Sequence, residues 1–68
     1  MTPVTKYDRI MRLLGWSTDE VAWKSCDGRP RWQVHASRSE DMILVTATTQ
    51  REAWAEAFRL AGKVERAR

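Results

Sequence analysis

One cysteine, one histidine, three glycines and two prolines leave this chain of 68 residues short of the material from which most sites are built. A lone Cys26 cannot form an internal disulfide, so no covalent staple holds the fold and no oxidising compartment is implied. One histidine and one cysteine fall short of the four ligands of a structural zinc site. Three scattered glycines make no phosphate-cradling loop. No apolar run approaches the length needed to span a membrane, and Met1-Thr2-Pro3-Val4-Thr5-Lys6 carries no apolar leader. The expectation is a cytoplasmic protein with no membrane contact, no cofactor and no metal.

What is present reads as globular. Hydrophobic residues make up 43% of the chain and charged residues 31%, a balance that excludes a solvated disordered tail. A chain of this size sits near the lower limit for burying its own core, so residues 1–68 are expected to form a single domain. Four tryptophans then supply much of the core volume. The net charge is +3, and nine of the twelve basic residues are arginine, the side chain suited to bidentate phosphate or carboxylate contacts. A GC-rich genome gives the same arginine bias. The charges are spread along the chain, and only the tail from Lys63 is locally basic.

Hydrophobic periodicity divides the chain into five elements. Pro3 suits the first turn of a helix with Thr2 as its cap, and Val4, Tyr7, Ile10, Met11 and Leu14 form one apolar stripe. Gly15 is a natural stop, so a helix is predicted over 3–14. Trp16 should fold back over the helix end, as the one tryptophan with a chance of exposure. Residues 20–26 alternate, with Val21 and Trp23 on one side and Ala22, Lys24 and Cys26 on the other. Asp27-Gly28 marks a hairpin turn. The next strand sets Trp32, Val34 and Ala36 against Arg31, Gln33, His35 and Ser37. After a turn at Arg38-Ser39-Glu40-Asp41, the third strand sets Ile43, Val45 and Ala47 against Met42, Leu44, Thr46 and Thr48.

At Thr49-Gln50-Arg51-Glu52 the period changes from two to 3.6. These four residues read as a capping box, with the Thr49 hydroxyl accepting from the Glu52 N–H and the Glu52 carboxylate reaching back to the Thr49 N–H. A helix follows over 50–65, with Ala53, Trp54, Ala57, Leu60, Ala61 and Val64 in its apolar stripe. The fold class is α+β. Its order is α-β-β-β-α, a three-stranded antiparallel meander with both helices packed on one face. The inner face is expected to be Val21, Trp23, Trp32, Val34, Ala36, Ile43, Val45 and Ala47.

Catalysis finds little here. His35 and Cys26 would have to meet across the outer sheet face, beside an oxyanion site, to form a nucleophile pair. No catalytic residue is assigned, and the chain is expected not to be an enzyme. Met42 and Leu44, by contrast, fall beside His35 on the face left open, and exposed apolar residues on a small domain mark an interface. Face-to-face dimerisation or pairing along an edge strand would cover them. The tryptophans invite a base-stacking reading, but Trp23, Trp32 and Trp54 all fall on positions expected to face the core.

The order α-β-β-β-α resembles the double-stranded RNA-binding domain. The likeness is carried by Gly28-Arg29-Pro30-Arg31-Trp32-Gln33-Val34, similar to that family's loop and second strand. Thr49-Gln50-Arg51-Glu52-Ala53 with Ala57 is similar to its capped last helix. The resemblance implies duplex RNA contacts from Arg9 or Arg12 on the first helix, from Arg29 or Arg31 at the hairpin, and from Arg51 as a phosphate clamp. The chain departs from the family in three places. Gln50 and Arg51 stand for a lysine pair, Trp54 stands for a following lysine, and the loop lacks the Gly-Pro-x-His pattern. Small bacterial and phage domains with a β-β-β-α core and an Ala/Trp-containing last helix look equally similar.

Two expectations follow. The first is a protein-interaction or self-association module, with an unidentified protein or a second copy meeting the face around Met42, Leu44 and His35. The alternative is weak, sequence-independent nucleic-acid binding through Arg9, Arg12, Arg29, Arg31 and Arg51.

Overall fold

The computed structural model describes residues 3–67. Five elements follow in order: α1 (Pro3–Leu13), β1 (Ser17–Lys24), β2 (Pro30–Arg38), β3 (Asp41–Ala47) and α2 (Gln50–Arg66). The strands form an open antiparallel sheet in the order β1-β2-β3, and both helices pack on one side of it. This is the α+β meander that the periodicity implies. The expected cap at Thr2 and the core position at Val4 lie outside the described residues and side chains.

Helix α1 ends in a Schellman motif. Gly15 sits at φ +94°, a conformation glycine adopts without steric cost. Its N–H donates to the Arg12 carbonyl at 3.0 Å, and the Trp16 N–H donates to the Met11 carbonyl at 3.0 Å. The hydrophobic contact that accompanies such an ending joins Met11 to Trp16, and both are buried in the same core cluster. Trp16 is 3% exposed, against the expectation that it alone of the tryptophans had a chance of exposure. Leu14, expected in the α1 stripe, lies beyond the last helical turn and is exposed.

The phase of β1 follows from Trp16. Residues directly opposite in an antiparallel pair point to the same face. Val34 and Ala36 are buried under the helices, and their partners across the ladder are Glu20 and Thr18. The helix-facing side of β1 is therefore Thr18, Glu20 and Ala22, in register with buried Trp16. Val21 and Trp23, expected in the core, lie on the open face instead, 52% and 41% exposed. The reason is a one-residue difference in phase, which moves every side chain of a strand to the other face. The expected alternation began at Glu20. In the structure it begins at Ser17, continuous with the anchored Trp16, and Cys26 falls in the loop beyond its end.

The polar inner side of β1 is satisfied from the helices. Trp54 Nε1 donates to Glu20 Oε1 at 2.6 Å, and Gln50 Nε2 donates to the same oxygen at 2.8 Å. Thr18 donates its hydroxyl proton to the Asp8 carboxylate of α1. The rest of the core is apolar. Val34, Ala36, Ile43 and Val45 of the sheet meet Ala53, Trp54, Ala57 and Ala61 of α2, whose small side chains let the helix approach closely. Tyr7 of α1 packs against Phe58 of α2 with ring centroids 5.3 Å apart.

Arg38, at the end of β2, ties the far corner together. Its guanidinium lies 4.6 Å above the Trp16 ring, donates to the Leu14 carbonyl at 2.9 Å and pairs with Glu65 near the end of α2. At the other end, the Thr49 hydroxyl accepts from the Glu52 N–H at 3.1 Å, which is half of the expected capping box. The reciprocal bond from the Thr49 N–H to Glu52 does not form.

Gly15→Ala is expected to cost about 1–2 kcal/mol, because a side chain at this φ is strained and its Cβ would press on Arg38 Cδ at 3.4 Å. Urea unfolding followed by tryptophan fluorescence measures it. Glu20→Ala should cost about 1–3 kcal/mol in the same assay, by leaving the buried Trp54 N–H without an acceptor. A Trp54→Phe background should remove most of that cost.

Candidate interaction surface

The face of the sheet away from the helices is built by the β1 phase and the two ladder registers. Four rows cross it. Ser17, Ser37 and Met42 form the first, and Asp19, His35 and Leu44 the second. Val21, Gln33 and Thr46 form the third, and Trp23 with Arg31 the fourth. Polar β2 residues thus run down the middle, half-buried between their neighbours. Apolar side chains stand on the outer strands at opposite corners, with Val21 and Trp23 on β1, and Met42 and Leu44 on β3. Met42 is 70% exposed and Leu44 is 58% exposed.

The three residues expected to mark an interaction surface are brought together here. His35 is directly opposite Leu44, and Met42 is one row away. His35 also faces Asp19 across the β1–β2 ladder. The periodicity missed Val21 and Trp23 as members of this surface. The signal for them lay in Gly15-Trp16: a bulky apolar residue directly after a helix-ending glycine docks on the last turn and sets the phase of the strand that follows.

The Cys26–His35 pair does not form. His35 is five ladder positions from Pro30, where the β1–β2 pairing ends, so roughly 16 Å of strand separates it from the Cys26 loop. Among the described residues no group of three histidine, cysteine, aspartate or glutamate side chains is placed to hold a metal ion.

The five arginines are dispersed. Arg9 and Arg12 lie on α1 in the helix layer, and Arg12 Nε pairs with Asp8 at 3.0 Å. Arg31 lies on the opposite side of the sheet, across from Trp23. Arg29 is in the β1–β2 loop, where its guanidinium pairs with Asp27 at 3.5 Å. That loop is tied by its own groups. Ser25 and the Arg29 N–H both donate to the Asp27 carboxylate, and these bonds hold its pKa below the ordinary value. Gly28 closes the turn at φ +81°. Arg51 opens α2 and is exposed. It stands at the end of the sheet that carries the Arg29 loop, away from the Arg12 end of α1.

A second feature adjoins the open face. A groove of about 480 Å³ runs between β3 and α2, with Thr46 and Ala47 on one wall and Ala55, Glu56 and Arg59 on the other. Glu56 and Arg59 pair with each other, and this pairing lowers the Glu56 pKa.

Among the described residues no helix is long and apolar enough to cross a membrane. No protein-family model, no curated protein and no solved structure matches the chain.

Proposed function

We propose that this chain is a non-enzymatic interaction module of the cytoplasm that self-associates through its open sheet surface, with Met42 and Leu44 at the centre of the contact. One observation carries the reading: Met42 and Leu44, 70% and 58% exposed, stand side by side on the one face of the sheet that no helix covers. Exposed apolar surface of this kind on a small domain marks an interaction site. The β2 residues between the corners, Gln33 and His35, are polar and suit the part of an interface that sets orientation.

Nucleic-acid binding through Arg9, Arg12, Arg29, Arg31 and Arg51 has weaker support. Duplex affinity grows with the number of phosphates neutralised together. Two of these arginines are engaged by neighbouring carboxylates, and Arg31 lies across the sheet from the helix layer that holds Arg9 and Arg12.

Sedimentation equilibrium between micromolar and several hundred micromolar protein tests the proposal. The expected outcome is a reversible species larger than the monomer that Leu44→Asp shifts back to monomer. A wild-type chain that stays monomeric throughout would overturn it. For the alternative, a fluorescent RNA duplex titrated at low salt should show no anisotropy change; binding that weakens steeply with added salt would instead favour the arginine reading.

A further inference from the structure

The self-association proposed above leaves the geometry of the contact open, and the edge of β3 supplies one. β3 is an edge strand, joined to β2 by the two-residue turn Ser39-Glu40 between the paired residues Arg38 and Asp41. The pair closing a two-residue hairpin exchanges both backbone hydrogen bonds, and hydrogen-bonded and non-hydrogen-bonded pairs then alternate along an antiparallel ladder. Ile43, Val45 and Ala47 therefore bond inward to β2. Met42, Leu44 and Thr46 turn their N–H and C=O groups outward.

Beyond Asp41, which opens the strand, this edge carries few of the usual protections in its own residues. From Met42 to Ala47 it has no proline, no charge and no bulge. The other edge, β1, includes Asp19, Glu20 and Lys24. The residues with outward backbone groups on β3 are also those whose side chains stand on the open face. The groove between β3 and α2 gives access to the same edge, since Thr46 and Ala47 form its wall.

We propose that β3 pairs with β3 of a second copy, antiparallel and centred on Leu44, to make one continuous six-stranded sheet. Leu44 then faces Leu44 of the second copy, and Met42 faces its Thr46. The three outward residues of each strand give about six backbone hydrogen bonds across the two-fold axis. Charge complementarity favours a copy of this chain as the occupant. The register sets Glu40 opposite Thr48 of the second copy, at the threshold of its α2 and Arg51. Neither Glu40 nor Arg51 has an ion-pair partner among the described residues. A two-fold axis makes this contact twice. The outer faces of the two α2 helices also approach antiparallel, each offering small Ala55 beside Glu52, Glu56 and Arg59.

Cysteine cross-linking in a Cys26→Ser background tests the register. Across a hydrogen-bonded antiparallel pair the Cα atoms are about 5.5 Å apart, within disulfide range. Leu44→Cys should therefore self-cross-link on mild oxidation. Met42 lies about 14 Å from its own equivalent in this register, and so does Thr46, so the single cysteine variants there should react at least about tenfold more slowly. Equal rates at the three positions, or faster reaction at 42, would overturn the pairing. Thr46→Pro supplies the second test, because it removes an outward N–H and no bond to β2. It should abolish the dimer while circular dichroism shows the fold retained, and Val21→Asp on the far strand should leave the dimer intact. If Thr46→Pro does not fold, the cysteine comparison decides. Loss of the dimer in Val21→Asp with retention in Thr46→Pro would overturn edge pairing in favour of face-to-face stacking, and self-association would stand. A wild-type chain that never associates overturns both.

Discussion

The docking of Trp16 on the last turn of α1 is the contact on which the rest of the structure depends. Gly15 takes the left-handed conformation that reverses the chain, and the next residue falls onto Met11. A tryptophan placed there is under the helices before the strand has begun. Every second residue after it inherits the same side, so Thr18, Glu20 and Ala22 face inward and Val21 and Trp23 face out. One glycine and one indole thus decide which side of β1 faces the helices and which faces away.

That arrangement places an unusual demand on the helices. The inner side of β1 carries a threonine and a glutamate where a strand of this sheet would ordinarily carry valine or isoleucine. The fold meets the demand with hydrogen-bond partners from distant elements: the Trp54 indole and Gln50 donate to Glu20, and Asp8 accepts from Thr18. These bonds link β1 to both helices. Arg38 performs the matching task at the opposite corner, stacked on Trp16 and bonded to both the α1 ending and α2. The cost of turning β1 this way is an apolar pair, Val21 and Trp23, left on the outside.

Charge tells a complementary story. An excess of arginine suggests a polyanion partner, yet the structure spends several of its guanidinium groups on local carboxylates. Arg12 goes to Asp8, Arg29 to Asp27, Arg59 to Glu56, and Arg38 to Glu65 and Asp41. What distinguishes the surface is its division into an open face with apolar corners, a β3 edge without charge from Met42 to Ala47, and a groove lined by Glu52, Glu56 and Arg59. A self-complementary contact has those ingredients.

Much of the architecture was legible in the chain. The stripe of Tyr7, Ile10 and Met11, the stop at Gly15, the Asp27-Gly28 turn, the alternation from Trp32 to Ala47 and the Thr49 cap each follow from local rules, since each rests on neighbours within a few residues. Met42, Leu44 and His35 were legible as surface for the same reason: β2 and β3 have one strongly apolar side and one weakly apolar side, so only one phase buries well. β1 has no such asymmetry. Val21 and Trp23 argue for one phase, and Trp16 with Ala22 argues for the other. The choice rests on where Trp16 docks and on hydrogen bonds to Glu20 from residues 30 and 34 positions away. Local pattern therefore determined the elements and their order, and only the tertiary packing decided which side of β1 the protein shows to the outside.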